Sequence, residues 1–493
     1  MSNLPVGDVS ASDFRAAAHE VVDWIADYLE HPAHPVRSAV APGDVLRSLE
    51  NFAPAKGESL DVILRDFREK LLPGITHWNH PSFFAYFAIS GSYPGIIGEM
   101  LAAALNVNGM LWATSPTVTE LEQLTLNWLR QMMGLDDAWF GEITDTASVS
   151  TFYALAAARE AAGLDVRARG MAGRNDIRTL RIYCSTHAHS SVDKAVIALG
   201  IGHDNLVKVP VDDQFRMQPE ALRDAIEQDI RAGFIPIAVV ATVGTTSTTS
   251  IDPVFAIVDV AKQYGCWVHV DGAYGGAAAV VPELRYLLDG VDRADSLVVN
   301  PHKWLFTPVD CSALYVRDAA KLAKAFALRP EYLTTRGQDD VVNLMDYGIQ
   351  LGRRFRSLKL WMVMRAFGAD GIAERIRHHC ELAREFAGMV HFQGGWEILA
   401  PVTLSLVCFR FAPPGASEDE LARINADIME RVNAGGHSYL SHTRLDEKYS
   451  LRLAIGNIRT DRQHIRQVWD DLLRAARHVA WPDAAKSSAT GLP

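Results

Sequence analysis

The sequence predicts an α/β protein built on a mixed, mostly parallel β-sheet with helices on both faces. Between residues 81 and 375, helix-like stretches alternate with short apolar runs at 181–185, 237–242, 266–270, 296–299 and 313–316. The runs are continuously apolar, which is typical of parallel strands that are buried on both faces. The chain of 493 residues is also long enough for a large core. We therefore assign residues 81–375 to one large domain.

The composition argues against several classes of function. The formal net charge of -11 counts against a nucleic-acid-binding surface. No apolar run approaches the roughly 18 residues that a membrane span needs. The five cysteines are widely spaced, which favours reduced and buried thiols over disulfides or a metal site. We expect a cytoplasmic protein with no metal, no nucleic-acid partner and no membrane contact.

Residues 1–80 predict a helical segment that has no core of its own. Apolar residues follow a helical spacing between residues 14 and 28. A second amphipathic helix begins near Ser59 and ends before Pro73. Two isolated helices cannot enclose a core, so we expect this segment to pack on another surface.

Residues 376–482 predict a small α+β domain. Its predicted elements are a helix at 373–389, a strand pair within 396–411, a helix from 417, a strand at 450–455 and a helix at 461–479. Ser417 and Glu420 have the spacing of a capping box, which marks the start of a helix. Residues 483–493 show no periodicity and predict a flexible tail.

A lysine and an aspartate each follow one of the predicted strands. Lys303 comes soon after the run 296–299, and Asp271 follows the run 266–270. Ligands of open α/β folds bind at the carboxyl ends of the strands. An amine that forms a Schiff base and a carboxylate that keeps a pyridine nitrogen protonated are the protein groups that pyridoxal 5′-phosphate (PLP) chemistry requires. The pair therefore predicts a PLP site.

The residues around this pair resemble the PLP signatures of group II amino acid decarboxylases. The two signature stretches are HVDGAY at 269–274 and NPHKW at 300–304. Three others resemble the aromatic L-amino acid decarboxylase branch: THWNHPSFFAYF at 76–87, AHSSV at 188–192 and LGRRFRSLK at 351–359. The resemblance runs from about residue 13 to residue 475. It implies the type I fold of PLP-dependent transferases, which is aspartate aminotransferase-like, and a homodimer with active sites at the interface.

The resemblance also implies which residues contact the cofactor ring. Lys303 would form the Schiff base and later move protons. Asp271 would keep the ring nitrogen protonated, which makes the ring an electron sink. His189 and Ala273 would lie against its two faces. Lys303, Asp271 and His189 are thus expected to be catalytic.

A second set of residues is expected to contact the rest of the cofactor. Ala147 and Ser148 lie in a small-residue turn before a helical run, where free N–H groups and the helix dipole favour a phosphate. In the resembled family, the residues that match Asn300 and His302 help to hold the phosphate. Thr246 matches another cofactor-site position.

Two residues beside this turn depart from the family pattern. Asp145 stands where a glycine is often found, and Val149 stands where an acidic residue is frequent. A carboxylate close to a phosphate is unfavourable unless it points away, so the position of Asp145 bears directly on the site.

Tyr332 decides the expected reaction. It lies in a polar stretch without a helical period, which predicts a long mobile loop that can cover a site. In the resembled family, the matching tyrosine protonates the carbanionic intermediate, and members that lack it react with oxygen and form an aldehyde. Tyr332 therefore predicts plain decarboxylation of an aromatic L-amino acid to an amine and carbon dioxide.

Eight residues match positions of the substrate pocket in the resembled family. They are Trp78, Tyr86, Phe87, Ala88, Ile89, Asn108, Met110 and Gly352. Ala88 and Ile89 replace a Pro-Thr pair of animal homologues, and Asn108 and Met110 replace an isoleucine and a phenylalanine. In plant relatives, a glycine at the position of Gly352 accompanies indole substrates and a hydroxyl residue accompanies phenols. The sequence predicts a pocket for an aromatic ring and leaves the choice of ring open.

Two other functions remain open at this point. One is an oxygen-consuming aromatic aldehyde synthase on the same scaffold. The other is a decarboxylase-like binding protein that has lost catalysis, although the presence of Lys303, Asp271, His189 and Tyr332 counts against it. A non-aromatic substrate such as glutamate or histidine is also open.

Overall fold

The larger of two β-sheets has seven strands in a computed structural model that describes residues 8–328 and 341–480. They are β1 (Phe140–Thr144), β2 (Leu180–Ser185), β3 (Leu206–Val209), β4 (Ile235–Thr242), β5 (Trp267–Asp271), β6 (Ser296–Val299) and β7 (Ser312–Val316). The spatial order is β1-β7-β6-β5-β4-β2-β3. Strands β3, β2, β4, β5 and β6 run parallel, whereas β7 is antiparallel to both β6 and β1. The predicted mixed, mostly parallel sheet is confirmed.

The five strands that the apolar runs predicted are all present, with ends that differ by two residues or fewer. Strands β1 and β3 were not predicted. The β1 sequence FGEIT contains a glycine and a glutamate, and the β3 sequence LVKV has four residues including a lysine. Neither is a continuous apolar run, so the periodicity that revealed the other strands is missing from both.

Helices cover both faces of the larger sheet, and the last three helices that the structure describes pack on the smaller one. In chain order they are α1 (Ala11–Glu30), α2 (Asp44–Ser48), α3 (Leu60–Asp66), α4 (Tyr93–Leu105), α5 (Pro116–Met132), α6 (Ala147–Ala161), α7 (Val166–Arg169), α8 (Ser190–Ala198), α9 (Pro219–Arg231), α10 (Val254–Gln263), α11 (Pro301–Trp304), α12 (Ala319–Phe326), α13 (Arg356–Phe392), α14 (Glu418–Ala434) and α15 (Arg462–Ala480). Two apolar clusters separate the sheet from its helices, one on each face.

The smaller sheet has four antiparallel strands. They are β8 (Trp396–Ile398), β9 (Leu406–Phe411), β10 (Ser441–Leu445) and β11 (Lys448–Ala454), in the order β10-β11-β9-β8. The predicted capping box is present: Ser417 accepts from the Glu420 N–H, and the Glu420 side chain accepts from the Ser417 N–H. Strand β10 was not predicted because its sequence SHTRL is mostly polar.

Helix α13 joins the two sheets. The predicted helix at 373–389 is its second half, and the whole helix is kinked at Gly368, whose φ of 64° is left-handed. Leu360 and Met364 pack into the core of the larger sheet, whereas Leu382 and Phe386 pack into the core of the smaller one. The predicted domain boundary at residue 375 therefore falls inside the second half of α13, after the kink.

The N-terminal helices have little core of their own. Leu29 is the one residue of α1 that is buried, and Phe14 and Val22 are exposed. The helix is held by edge contacts, such as the ring of Trp24 against Phe67. Among the described residues, no helix combines the length and the hydropathy that crossing a membrane requires.

Candidate active site

A cavity of about 190 Å³ lies at the carboxyl ends of β4, β5 and β6. It is lined by Phe87, Thr146, Ala147, Ser148, His189, Ser191, Thr242, Gly244, Thr246, Asp271, Ala273, Tyr274, Asn300, His302 and Lys303. All nine residues that were expected to contact a cofactor are in this set. Stretches that are far apart in the sequence therefore meet at one edge of the sheet, as the strand topology requires.

Lys303 is placed by the short helix α11, which begins directly after β6. Its backbone N–H donates to Asn300 O at 3.0 Å, and its Nζ lies 5.6 Å from the centre of the Phe87 ring. Burial lowers the pKa of Lys303, and the negative charge of Asp271 opposes that shift. A lowered pKa increases the fraction of neutral amine, which is the nucleophilic form.

Asp271 is the last residue of β5, and its side chain is buried. Its Oδ1 accepts from the Ala273 N–H at 3.1 Å, which fixes the turn after the strand. The carboxylate therefore remains at the strand end, on the same cavity wall as Ala273.

His189 caps the N-terminus of α8. Its Nδ1 accepts from the Ser191 N–H at 3.1 Å and lies 2.9 Å from the Ser191 hydroxyl. Burial lowers the pKa of His189. Because Nδ1 accepts, the neutral ring carries its proton on Nε2. His189 therefore presents a flat, neutral ring to the cavity.

The N-terminus of α6 forms another wall. Thr146 is the cap residue, and its carbonyl accepts from Val149 and Ser150 at 3.0 Å each. The N–H groups of Ala147 and Ser148 come before the first intrahelical bonds, so they are free to bind an anion. Asp145 does not line the cavity, and its Oδ2 accepts from the Gln350 amide at 3.1 Å. The carboxylate that departs from the family pattern is thus engaged elsewhere.

Two buried polar groups of the cavity have no hydrogen-bond partner in the described part of the chain. Asn300 Oδ1 and Thr242 Oγ1 are buried and have no hydrogen-bond partner among the described residues. His302 Nδ1 accepts from the Cys311 N–H at 3.0 Å, and burial lowers the pKa of His302 to about 3. Buried polar groups are rarely left unpaired, so these groups indicate a polar ligand. A helix N-terminus, an amine and a carboxylate in one cavity fit PLP.

An aromatic stack supports one side of the cavity. Phe87 stacks on Tyr274 with ring centres 3.8 Å apart, and Tyr274 stacks on Trp304 at 4.6 Å. Trp304 Nε1 donates to His379 Nδ1 at 2.9 Å. Sequence reasoning did not assign Tyr274 or Trp304 a role, although both lie inside the signature stretches.

Close backbone packing shapes the turn after β4. Gly244 has a φ of 89°, and a Cβ at this position would lie 2.8 Å from Gly275 N. A glycine is therefore required where the β4 turn contacts the β5 turn. The sequence alone gave no reason to single out this pair.

The structure separates the eight predicted substrate residues into two groups. Phe87 lines the cavity. Trp78 and Tyr86 do not line it, and their rings stack on each other with centres 5.5 Å apart. Ala88 and Ile89 continue the same segment.

The second group is Asn108, Met110 and Gly352. Asn108 Oδ1 accepts from the N–H of Arg353, the neighbour of Gly352, at 2.9 Å. None of the three lines the cavity of its own chain. Of the eight predicted substrate residues, only Phe87 lines the cavity, so the described residues of a single chain do not assemble the complete predicted pocket.

Comparison with known proteins gives an independent view of the chain. A family model described as the pyridoxal-dependent decarboxylase conserved domain matches residues 42–412. Tyrosine decarboxylase 4 of Petroselinum crispum is 40% identical over 483 residues, which cover 95% of this chain and 94% of the relative. Phenylacetaldehyde synthase of Petunia hybrida is 39% identical over 476 residues, which cover 93% of each. The crystal structure of Oryza sativa TDC with PLP and tryptamine superposes with a TM-score of 0.92 at 36% identity, covering 96% of this chain and 99% of the other.

Proposed function

Because the chain belongs to the pyridoxal-dependent decarboxylase family, we propose that it is a PLP-dependent carboxy-lyase that converts an aromatic L-amino acid to the corresponding amine and carbon dioxide. The observation that carries the proposal is the single cavity in which Lys303, Asp271 and His189 meet the N-terminus of α6. Similarity to a tyrosine decarboxylase, and to a structure solved with tryptamine, supports an aromatic substrate.

The geometry of the cavity supports a role for several of its residues. PLP, when bound, supplies an aldehyde that condenses with amines and a ring that accepts the electron pair released with carbon dioxide. Lys303 offers an amine for that aldehyde, and burial lowers the pKa of this amine. Asp271 at the end of β5 would hold a proton on the ring nitrogen. The N–H groups of Ala147 and Ser148 would bind the phosphate.

Other residues would orient the substrate and move protons. The flat rings of Phe87 and His189 form opposite kinds of wall, one apolar and one polar. Tyr332 is the proposed acid that delivers a proton to the substrate carbon after its carboxyl group has left. Tyr332 lies outside the described residues, so its role rests on the sequence resemblance.

A product assay tests the proposal directly. The purified protein, loaded with PLP, is incubated with each of the twenty amino acids, and carbon dioxide, amine, aldehyde and peroxide are measured together. We expect equal amounts of carbon dioxide and amine from one or more of tryptophan, tyrosine, phenylalanine and dihydroxyphenylalanine, the last of which is added to the set. Turnover of glutamate or histidine alone would contradict the proposed substrate class.

The second candidate is an aromatic aldehyde synthase. The Petunia hybrida relative, a phenylacetaldehyde synthase, is almost as similar to this chain as the tyrosine decarboxylase. Aldehyde and peroxide in amounts equal to carbon dioxide would favour this candidate. Tyr332 is the feature that favours plain decarboxylation.

We also propose that the protein is a cytoplasmic homodimer with active sites at the subunit interface. The α4 helix exposes Ile97, Met100, Leu101 and Leu105, which is an unusually apolar surface for a monomer. A second copy packed there would also supply the substrate group that contains Asn108 and Gly352. Size-exclusion chromatography with light scattering should give twice the chain mass. Deletion of residues 1–75 should cause aggregation, and a stable, active truncated monomer would contradict the proposal.

A further inference from the structure

Arg452 is a buried cation close to the cavity. It lies on β11 of the smaller sheet, and 3% of its surface is exposed. Across residues 8–328 and 341–480, no Asp or Glu oxygen pairs with it within 4.0 Å. Burial lowers the pKa of Arg452. A buried charge without a counter-ion is costly unless hydrogen bonds compensate for it.

Neutral acceptors surround the guanidinium instead. Nε donates to Ser247 O at 3.1 Å, and Nη1 donates to Ser441 Oγ at 2.9 Å. Nη2 donates to Thr246 O at 2.5 Å and to Tyr86 O at 3.4 Å. Four of the five N–H groups are thus used, and three of the acceptors are backbone carbonyls. The carbonyls belong to two segments that line the cavity through Thr246 and Phe87.

One of these segments needs support because its backbone is strained. Tyr86 has a φ of 53°, in the left-handed region that non-glycine residues rarely adopt. Its N–H donates to Ser441 Oγ at 3.1 Å, and its carbonyl accepts from Arg452. Arg452 also donates to Ser441, so both polar backbone groups of Tyr86 depend on this pair.

The strained residue directly precedes Phe87. The guanidinium carbon lies 5.6 Å from the centre of the Phe87 ring, the same distance as Lys303 Nζ. The ring is also stacked on Tyr274. Its position in the cavity is therefore set by the small domain through Arg452 and by the large domain through Tyr274.

We propose that Arg452 is a positioning residue of the active site, which holds Tyr86 in its left-handed conformation and fixes the turn at Thr246 and Ser247, so that Phe87 and Thr246 face the bound cofactor correctly. The inference rests on the proposed PLP chemistry. It assigns to the small domain a direct part in shaping the site.

A second buried arginine of the same sheet provides a matched control. Arg410 on β9 is 4% exposed, and it pairs with the carboxylates of Glu397 and Glu418. It contacts no residue of the cavity wall in the hydrogen-bond network of the described chain. A change at Arg410 tests the stability of the sheet without changing the site.

The test compares Arg452→Lys with Arg410→Lys. Lysine keeps the positive charge, but its single ammonium group cannot donate to all the acceptors that the planar guanidinium group of arginine reaches. We expect Arg452→Lys to weaken PLP binding to the apo-protein about tenfold, the effect of losing a hydrogen bond from a charged donor, and to lower kcat. Arg410→Lys should lower only the melting temperature. Millimolar guanidinium should restore part of the PLP affinity of Arg452→Ala and leave Arg410→Ala unchanged.

Three results would overturn the proposal. Unchanged PLP affinity and kcat in Arg452→Lys would remove the positioning role. A rise in KM alone would place the guanidinium on the substrate. An equal loss of PLP affinity in Arg410→Lys would show that the weaker binding in Arg452→Lys comes from a less stable sheet. PLP affinity is measured without substrate, so a protein that acts on no aromatic amino acid would still give a clear answer.

Discussion

Lys303 combines two properties that individual lysines rarely share. It lies in a polar cavity, and its pKa is lowered by burial while Asp271 stays close enough to act against the shift. Burial thus favours the nucleophilic form of the amine, while Asp271 stabilises the charged form within the site. Its chemistry depends on the position of one side chain on one short helix.

Lys303→Ala tests this position. The change removes the amine and leaves the apolar core intact, so we expect the fold to survive while kcat falls by about a thousandfold or more. The visible absorption of the bound cofactor should be lost as well. Circular dichroism, absorbance and amine production are the measurements.

Lys262→Ala is the matched control, because Lys262 pairs with Asp295 at the surface. It should retain full activity. Wild-type amine production by Lys303→Ala would end the assignment of the reactive lysine.

Tyr332→Phe tests the fate of the substrate carbon. The change keeps the ring and removes the proton donor, so carbon dioxide should still form while aldehyde, ammonia and peroxide replace most of the amine. Oxygen uptake and product analysis check the outcome. Tyr286→Phe, a change at an exposed tyrosine, should have no effect. Wild-type amine production without oxygen uptake would make His189 the next candidate for the acid.

One buried ion cluster joins α5 and β1 to the segment that precedes α13. Arg353 donates to Glu122 on α5 at 2.7 Å and to Glu142 on β1 at 3.3 Å. It also donates to Ile143 O at 2.9 Å. Burial outweighs the attraction of Arg353 and raises the pKa of Glu142 to about 8. Near pH 7, Glu142 is therefore mostly protonated.

This cluster predicts opposite effects for two substitutions. Glu142→Gln mimics the protonated acid, so it should change the free energy of unfolding by less than about 1 kcal/mol at pH 4.5 and should raise it at pH 7. Arg353→Met leaves a buried carboxylate unpaired and should cost about 3–5 kcal/mol. Urea unfolding measures both.

The pH dependence of Glu142→Gln gives a further check. The folded pKa of Glu142 is above the unfolded value of 4.5, so its contribution to stability is lost as the pH rises toward about 8. The variant should therefore gain stability relative to the parent protein over that interval. An equal difference at pH 5 and pH 8 would show that Glu142 is ionised throughout.

The strands that could be predicted from the sequence are those that are buried on both faces of the sheet. Strands β4 and β6 are covered on both faces, so they appear as unbroken apolar runs. Strand β10 has one exposed face and a polar sequence, so its pairing with β11 is decided by tertiary contacts. Arg452 escaped notice for a related reason, because a lone arginine in a strand sequence does not reveal which carbonyls surround it.

The candidate site was predictable where several signature residues occur in one stretch. Lys303 and Asp271 come with neighbours that mark them, and both line the cavity. The substrate group of Asn108 and Gly352 was predicted as part of one pocket, but it lies apart from the cavity of its own chain. A match to a family position does not by itself show which cavity a residue lines.

For the molecule as a whole, buried neutral histidines predict a marked sensitivity to acid. Burial lowers the pKa of His269 to about 4 and the pKa values of His302 and His379 to about 3. Below pH 6.5 the unfolded chain binds these protons and the folded chain does not. Each histidine then removes about 1.4 kcal/mol of stability per pH unit. Glu142 and Asp252, whose pKa values are raised, act in the opposite sense but are fewer.

We expect the melting temperature to fall steadily as the pH decreases from 6.5 to 4.5. His379→Gln keeps an acceptor for Trp304 and removes one titrating group. Its melting temperature should therefore fall less steeply with decreasing pH, by the contribution of one histidine. Thermal unfolding at a series of pH values tests this. A melting temperature that stays constant between pH 6.5 and pH 5 would contradict the prediction.

The kinked helix α13 also limits how this protein can exchange parts with its relatives in evolution or in the laboratory. Its core-facing residues up to Cys380 belong to the core of the larger sheet, and those from Leu382 onward belong to the core of the smaller one. A crossover in the connection between α13 and β8 would give Leu382 and Phe386 a different ancestry from the core into which they pack. Chimaeras should therefore express well when the crossover lies between Cys380 and Leu382, and poorly when it lies between α13 and β8. The end of α13 is inherited with the small domain.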